Sequence, residues 1–191
     1  MFKLVSAKTL RQVATAIANP HATIASITAG SISGTVGTET LAVSGSGSFD
    51  TKNAGNGKIV TVADVAALTK ADGTGAWSNY NLTTTGSKTT TADIAKKNVT
   101  LDSLTASNKT YDGNTDATII ELGSSDVFVG DSVTFSQTGA KFADRHVAKN
   151  GSGNVIEKTV SVSGIAINGD DAGNYALVHD TATTTAKITP K

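Results

Sequence analysis

The feature that most constrains the fold of this chain is an internal repeat with a period of about 94 residues. Four stretches of the first half recur in the second half in the same order, at spacings of about 93 to 95 residues apart from one longer loop. The pairs are TTTADIAKK (89–97) with TTTAKITPK (183–191), SNYNL (78–82) with GNYAL (173–177), HATIAS (21–26) with DATIIE (116–121), and SFDTKNAGNGKIVTV (48–62) with KFADRHVAKNGSGNVIEKTVSV (141–162). Similarity at a fixed period indicates tandem copies of one unit. The sequence therefore predicts two domains, residues 1–96 and 97–191, of which the first has a divergent opening segment.

Apolar and polar residues alternate in both copies, and this pattern predicts β-strands. Val160 and Val162 are separated by a polar residue, and a period of two places one face of a strand in the core and the other in water. The alternation changes phase between Leu101 and Leu104, which predicts either a bulge or a strand break. Only residues 61–73 show a helical pattern, and we expect at most a short helix or a single turn there.

Composition argues against several classes of function. Charged residues make up 17% of the chain and its formal net charge at pH 7 is zero, so electrostatic attraction to nucleic acid is not expected. The chain has no cysteine, which excludes disulfides and thiolate metal sites. No apolar run approaches the roughly 20 residues that a membrane-spanning helix needs. We therefore expect neither nucleic-acid binding nor membrane insertion by this chain.

The first twenty or so residues lack the pattern of a signal peptide. Their apolar run is short and is broken by Lys8, Arg11 and Gln12. If the protein is exported, we expect its targeting segment to lie outside this chain.

The sequence offers little that is typical of an active site. His21, His146 and His179 are isolated from other ligand types, so a zinc site is not expected. Serine, histidine and aspartate are all present, but no G-x-S-x-G elbow occurs. A cleft joining His146 and Asp144 to a hydroxyl nucleophile would instead indicate a hydrolase. We predict that the protein is not an enzyme.

Calcium is the one cofactor for which the sequence offers ligands. Asp170, Asp171 and Asn174 place hard oxygen atoms in a glycine-containing loop. Their spacing does not match an EF-hand, and the first copy keeps only Asp72 and Asn79. The alternative is a polar turn before the next strand. We predict no cofactor, with calcium as the open alternative.

A Tyr-Asp-Gly-Asn stretch in the second copy is predicted to be a structural turn formed by Tyr111, Asp112, Gly113 and Asn114. Glycine adopts a positive φ at little cost, and aspartate can hydrogen-bond the local backbone. We expect Tyr111 to lay its ring on the core and to keep its hydroxyl hydrated or bonded. The first copy has AIANPHATI at 16–24 instead, where an Asn-Pro pair supplies a different turn.

Aromatic and threonine-rich stretches are the candidates for ligand contact. Trp77, the only tryptophan, lies just before Tyr80, and an indole ring can stack on a sugar. The alternative for Trp77 is partial burial in the core. The threonine-rich runs at 83–94 and 181–188 are predicted to be edge strands with outward hydroxyls.

Four segments of the second copy resemble the YDG-type repeat domains. In order they are NKTYDGNTDAT (108–118), FADRHVAKNG (142–151), GDDAGNYAL (169–177) and AKITPK (186–191). Such domains stand in tandem in large bacterial surface proteins, including filamentous-haemagglutinin-like adhesins, and are related to mostly-β, β-grasp-like modules. The second copy resembles the family over essentially its whole length, whereas the opening of the first copy departs from it.

The resemblance implies both a fold and a role. We predict a mainly β protein with two tandem β-grasp-like or sandwich-like domains and at most a short helix per domain. An extended rod is expected, because no Pro/Gly linker separates the copies. The implied function is a non-enzymatic stalk or spacer repeat of a secreted or cell-surface bacterial adhesin. The alternative is an adhesive module that binds host or surface glycans, proteins or neighbouring copies of itself.

Overall fold

The computed structural model describes residues 3–9, 23–28 and 31–191 of the chain. Strands account for 49% of the structure and helical segments for 5%. In the described ranges the helical segments are single 3-10 turns, so the prediction of a mainly β protein is confirmed. None of the described segments forms a helix long and apolar enough to cross a bilayer.

The chain divides into two compact units, Met1–Lys97 and Asn98–Lys191. The sequence repeat placed the boundary one residue earlier. The strands described in the first unit are β1 (Lys3–Thr9), β2 (Ile24–Thr28), β3 (Ser31–Ser33), β4 (Leu41–Phe49), β5 (Gly55–Val62), β6 (Thr69–Asp72), β7 (Tyr80–Leu82) and β8 (Lys88–Ile94), with 3-10 turns at Val65–Ala67 and Trp77–Asn79.

The strands described in the first unit form two sheets. One has the order β2-β4-β5-β8, with β6 also paired to β4, and the other has the order β3-β1-β7. Strand β1 runs parallel to β7 and antiparallel to β3. Strands β4 and β5 pair with Phe49 opposite Val60. Alternate residues of β4 and β5 point inward, and Val43 is fully buried. These side chains form the centre of the core together with Ile27 and Ile94.

The second unit consists of shorter strands. They are β9 (Lys97–Val99), β10 (Ser103–Ala106), β11 (Lys109–Thr110), β12 (Ile119–Gly123), β13 (Thr134–Ser136), β14 (Gly139–Phe142), β15 (Lys158–Ser163), β16 (Ala166–Asn168), β17 (Tyr175–Leu177), β18 (Thr181–Ala186) and β19 (Ile188–Thr189), with a 3-10 turn at Ala172–Asn174.

Strand pairing in the second unit repeats much of the pattern of the first. The main sheet has the order β14-β15-β18, and the remaining strands pair as β10-β12, β11-β19, β13-β16 and β9-β17. Phe142 lies opposite Val160, as Phe49 lies opposite Val60 in the first unit. Val160 and Val162 are almost fully buried, which confirms the alternation predicted there.

The structural correspondence between the units differs from one of the sequence echoes. The backbone N–H of Phe49 donates to the carbonyl of Thr23, and that of Phe142 donates to the carbonyl of Thr115. Thr23 therefore corresponds to Thr115. The match of HATIAS with DATIIE instead aligned Thr23 with Thr118, three residues later. The echo was misaligned because Ala-Ser-Ile at 25–27 has the same alternation as Ala-Thr-Ile at 117–119, and both place alanine and isoleucine toward the core.

Two local predictions are resolved by the strand bounds. Strand β9 ends at Val99 and β10 begins at Ser103, so the phase change between Leu101 and Leu104 is a strand break. The helical pattern at 61–73 produces only the 3-10 turn Val65–Ala67. Asp64 caps this turn by accepting a hydrogen bond from the N–H of Ala66 at 2.9 Å.

A glycine follows the equivalent strands β6 and β16 where two backbone segments approach closely. A Cβ at Gly73 would collide with the carbonyl of Thr40, and a Cβ at Gly169 would collide with the carbonyl of Ser132. Gly169 also has a φ of 108°, which L-residues rarely adopt. Both units therefore require a residue without a side chain at this point.

We predict that Gly169→Ala lowers the free energy of unfolding by about 2–3 kcal/mol, because strain and collision act together. Denaturation followed by circular dichroism measures the loss. Gly153→Ala is the control, since Gly153 has a φ of 79° with open space around it and the change is expected to cost about 1 kcal/mol. Equal losses in the two variants would contradict the close approach at Gly169.

Candidate functional site

The Tyr-Asp-Gly turn directly follows β11 and is built from side-chain hydrogen bonds. Asp112 Oδ1 accepts a hydrogen bond from the backbone N–H of Asn114 at 3.1 Å, and Asp112 Oδ2 accepts one from the side-chain Nδ2 of Asn114 at 3.0 Å. Asn114 Oδ1 accepts from the backbone N–H of Asp116 at 2.9 Å. Gly113 has a φ of 85°, which glycine adopts without steric cost. The stretch therefore forms two overlapping Asx turns.

The ammonium of Lys109 lies at the centre of this turn. Its Nζ donates to Asn114 O at 3.2 Å, to Asn114 Oδ1 at 2.7 Å and to Asp116 O at 3.0 Å. It also lies 2.8 Å from Asp112 Oδ1, and the side chain is only 17% exposed. The Nζ is 5.8 Å from the centroid of the Phe142 ring. Because a mostly buried ammonium needs acceptors for its protons, the oxygen atoms of the turn surround the lysine.

This cluster favours the charged form of Asp112. The hydrogen bond from Lys109 is the main cause that holds the pKa of Asp112 below its ordinary value, and the N–H of Asn114 adds to it. A lysine beside an amide has the groups needed for an amide cross-link, but attack on a carbonyl requires the neutral amine. The Nζ is within hydrogen-bond distance of several oxygen atoms of the turn and of the Asp112 carboxylate, so the geometry is that of a structural ion pair.

A second lysine organises the FADRHVAKNG segment in the same way. Lys158 Nζ donates to Asp144 O at 3.2 Å and to His146 O at 2.8 Å, and it pairs with the Asp144 carboxylate. The side chain of Lys158 is 8% exposed. The hydrogen bond from Lys158, followed by that from the backbone N–H of His146, lowers the pKa of Asp144. The carboxylate that a hydrolase would need beside His146 is thus bound to a lysine and a backbone N–H.

Residues of these two segments share one surface cleft. Tyr111, His146, Val147, Pro190 and Lys191 line a cleft of about 370 Å³. Tyr111 is 36% exposed, so part of its ring surface is available from solvent. Aromatic and apolar surface beside a histidine and a lysine is suited to a small polar ligand with one apolar face.

The calcium candidate residues are partly engaged with the protein itself. Asp171 Oδ2 accepts from the backbone N–H of Ser132 at 2.9 Å, and the N–H of Asp171 donates to Ser132 O at 3.2 Å. Asn174 is buried. Across residues 3–9, 23–28 and 31–191, no three metal-binding side chains form a cluster that could hold an ion. His21 and the Asn-Pro turn of the first copy lie outside the described residues.

A buried tyrosine closes a loop in the second unit. Tyr175 is 3% exposed, and its hydroxyl donates to Asp131 Oδ2 at 2.7 Å and accepts from the N–H of Phe128 at 3.1 Å. The N–H of Asp131 donates back to Phe128 O at 3.1 Å. Burial, followed by the hydrogen bond to Asp131, raises the pKa of Tyr175.

The first unit contains the same arrangement. Tyr80 is 5% exposed, and its hydroxyl donates to the carboxylate of Glu39 and accepts from the N–H of Val36 at 3.0 Å. The N–H of Glu39 donates to Val36 O at 3.1 Å. The hydrogen bond to Glu39 is the main cause of a raised pKa at Tyr80. We call each set of three residues, a tyrosine with a loop N–H and a carboxylate, the tyrosine latch.

The two aromatic residues proposed for ligand contact have structural partners. Trp77 is half-buried, and its Nε1 donates to Ala71 O at 2.9 Å and Ala42 O at 3.1 Å. Lys70 Nζ lies 5.6 Å from the centroid of the indole ring. Because Tyr80 is buried in its latch, only part of the Trp77 ring offers surface to a ligand at this place. Ligand contact by these residues stays a prediction.

Sequence reasoning missed the lysines and the latch carboxylates. Nothing in a sequence shows that the Nζ of Lys109 or Lys158 will be buried beneath a loop that closes only in three dimensions. For the latch a signal was present, because Tyr80 and Tyr175 are matched in the repeat. Each has an acidic partner at a similar distance before it, 41 residues in the first unit and 44 in the second.

We predict that Tyr175→Phe lowers the free energy of unfolding by about 1–2 kcal/mol, because the Phe128 N–H and the Asp131 carboxylate lose a buried partner. Chemical denaturation followed by circular dichroism measures this loss. Tyr111→Phe is the matched control, since Tyr111 is partly exposed, and its effect is expected to stay within about 0.5 kcal/mol.

Tyr175→Phe is also expected to change how the stability of the protein depends on pH in the alkaline range. A raised tyrosine pKa contributes stability that is fully present below the unfolded value of about 10 and is lost as pH rises through the folded pKa. The wild-type chain is therefore expected to lose more stability between neutral pH and about pH 11 than Tyr175→Phe does. Parallel curves for the two proteins would argue against the latch.

Acid is expected to weaken the two lysine-centred loops, which are the loops around the ammonium groups of Lys109 and Lys158. Because the pKa values of Asp112 and Asp144 are lowered, their contribution is present above about pH 4 and is lost as pH falls through the folded pKa. Asp112→Asn and Asp144→Asn are expected to be less stable than wild type at neutral pH and to converge with it in acid. Denaturation curves measured from pH 7 down to pH 2 test this, and a constant difference would contradict it.

Comparison with known proteins finds one family model that matches part of the chain. Residues 95–186 match the family model of the YDG domain, a range that contains both lysine-centred loops and the latch of the second unit. The range covers just under half of the chain and leaves almost all of the first unit outside. No curated protein and no solved structure gives a significant match. The match thus finds a YDG domain at residues 95–186.

Proposed function

We propose that this chain is a structural stalk or spacer segment of a secreted or cell-surface bacterial adhesin, and that it has no enzymatic role. Its consecutive units would project an adhesive tip from a cell surface or build an adhesive filament by repetition. In this proposal the units follow one another without a flexible linker and form a semi-rigid rod.

The observation that carries the proposal is what the two units have in common. Both contain a tyrosine latch, a Phe-Val pair across the main sheet, and a glycine at the same close backbone approach. These features stabilise the fold of each unit. A protein built by repetition needs each unit to keep the interactions that stabilise its fold, and both units keep them here.

The chemistry of the signature segments supports the same role. Lys109 and Lys158 direct their ammonium groups into loops of their own unit, and Asp112 and Asp144 are their ion-pair partners. These charges are therefore used internally instead of being presented to a substrate.

The proposed function implies a location outside the cell. YDG domains occur in other contexts as well, so the adhesin assignment rests on the tandem copies and on the resemblance of the signature segments. We place the protein outside the cell or at the bacterial surface.

A binding module is the second candidate function, and the cleft beside Tyr111 favours it. An exposed aromatic ring next to His146 and Lys191 offers a stacking surface and polar groups, which suits a glycan. Host proteins or neighbouring copies of the chain are the other partners of this candidate.

Binding of the full chain to a panel of glycans, extracellular-matrix proteins and the chain itself tests the two functions. We expect no saturable binding, because the spacer has no dedicated ligand. The variants Tyr111→Ala and Trp77→Ala are measured beside the wild type, with circular dichroism to verify folding. Saturable binding that Tyr111→Ala abolishes in a folded chain would overturn the spacer proposal in favour of the cleft, and loss with Trp77→Ala would assign binding to the first unit.

A further inference from the structure

Two segments near opposite ends of the second unit lie side by side. The leading segment (104–111) contains β11, and the closing segment (184–189) contains β19. The two strands are parallel, with Lys109 opposite Ile188 and Thr110 opposite Thr189. The backbone N–H of Lys109 donates to Lys187 O at 2.9 Å, and that of Tyr111 donates to Thr189 O at 2.8 Å.

Side chains extend this connection beyond the two short strands. Asn108 Oδ1 accepts from the backbone N–H of Lys187 at 2.7 Å. Thr184 Oγ1 donates to Leu104 O at 3.0 Å, and Thr189 Oγ1 donates to Lys109 O at 3.3 Å. The leading and closing segments are thus joined along most of their length.

The parallel direction determines how this connection responds to a pull. Tension along the chain reaches the leading segment through β9, which precedes it and pairs with β17. It then draws the leading segment toward its N-terminal side and the closing segment toward its C-terminal side. In a parallel pair these two forces are opposed and act along the strands. The bonds between the segments are then loaded together, instead of being opened one at a time from an end.

Such a connection resists sliding only if each strand is fixed to the body of the unit. Ile188 is fully buried and holds β19 in the core. Lys109 holds β11, because movement of the strand toward its N-terminal side would draw the ammonium away from the oxygen atoms of residues 112–116. Asp116 is in turn paired with Lys141 of β14. The Tyr-Asp-Gly turn therefore anchors β11.

We propose that β11 and β19 form a shear clamp that makes the second unit resistant to mechanical unfolding, and that Lys109 with the Tyr-Asp-Gly turn is its anchor. The inference rests on the proposed stalk function for its biological meaning, since a stalk transmits force. The clamp itself is a property of the folded unit and can be measured without any adhesive partner.

Single-molecule force spectroscopy on the full chain, held at both ends, tests the clamp. The variant is Lys109→Met, which keeps the length of the side chain and removes its charge. The matched control is Lys158→Met, which removes the ammonium that binds the loop at Asp144 and His146 instead of the Tyr-Asp-Gly turn. The backbone of Lys158 lies opposite Ala186 of the closing segment, and the substitution leaves that strand pairing in place. We expect the unfolding rate of one event at constant force to rise on the order of tenfold in Lys109→Met, because forced unfolding is governed by the unfolding barrier.

The two variants separate the clamp from a general loss of stability. Each is also measured by equilibrium denaturation, so that the force data are compared at known stability. Lys158→Met is expected to change the rate under force less than about threefold, and the event of the first unit serves as an internal reference. Equal rate changes in the two variants, or an unchanged rate in Lys109→Met, would overturn the clamp.

A milder pair of variants covers the case in which Lys109→Met fails to fold. Asn108→Ala removes the hydrogen bond to the closing segment, whereas Asn150→Ala removes an Asx turn elsewhere in the unit. Asn108→Ala is expected to accelerate forced unfolding and Asn150→Ala to leave its rate unchanged. The opposite order would overturn the proposal. A ligand found by the binding panel would refute the stalk function and leave these force measurements as they are.

Discussion

A buried ammonium must be surrounded by oxygen acceptors, and this requirement organises the loops of the second unit. Lys109 and Lys158 each draw a loop around the end of the side chain, and most of the acceptors are oxygen atoms of that loop. The chain has no cysteine and only 5% aromatic residues, so these loops have few other means of fixation. The conformations of the Tyr-Asp-Gly and FADRH segments follow from the position of the two lysines.

The tyrosine latch of each unit connects a loop to the strand that begins with the tyrosine. Tyr80 is the first residue of β7, which pairs with β1, and Tyr175 is the first residue of β17, which pairs with β9. One side chain thus connects the opening strand of each unit to a loop in its middle. Because the tyrosine is buried in both units, loss of its hydroxyl removes a hydrogen bond from the loop N–H and another from the carboxylate.

Sequence patterns predicted the parts of this structure that depend on local alternation. Val160 and Val162 show a period of two, and a half-buried strand is the only regular structure that fits it. The role of Lys109 was not predictable, because its acceptors lie in a loop whose closure depends on the rest of the unit. The misaligned echo at Thr23 has a different cause: short Ala-x-Ile patterns match equally well in two registers, and only hydrogen bonds decide between them.

Every partner of a tyrosine latch lies within the same unit as its tyrosine. A gene segment that encodes one unit therefore also encodes the interaction that closes it. Duplication or deletion of such a segment by recombination changes the number of units without separating a latch from its partners. Selection can then adjust the length of the protein in whole steps, while substitutions accumulate independently in each copy.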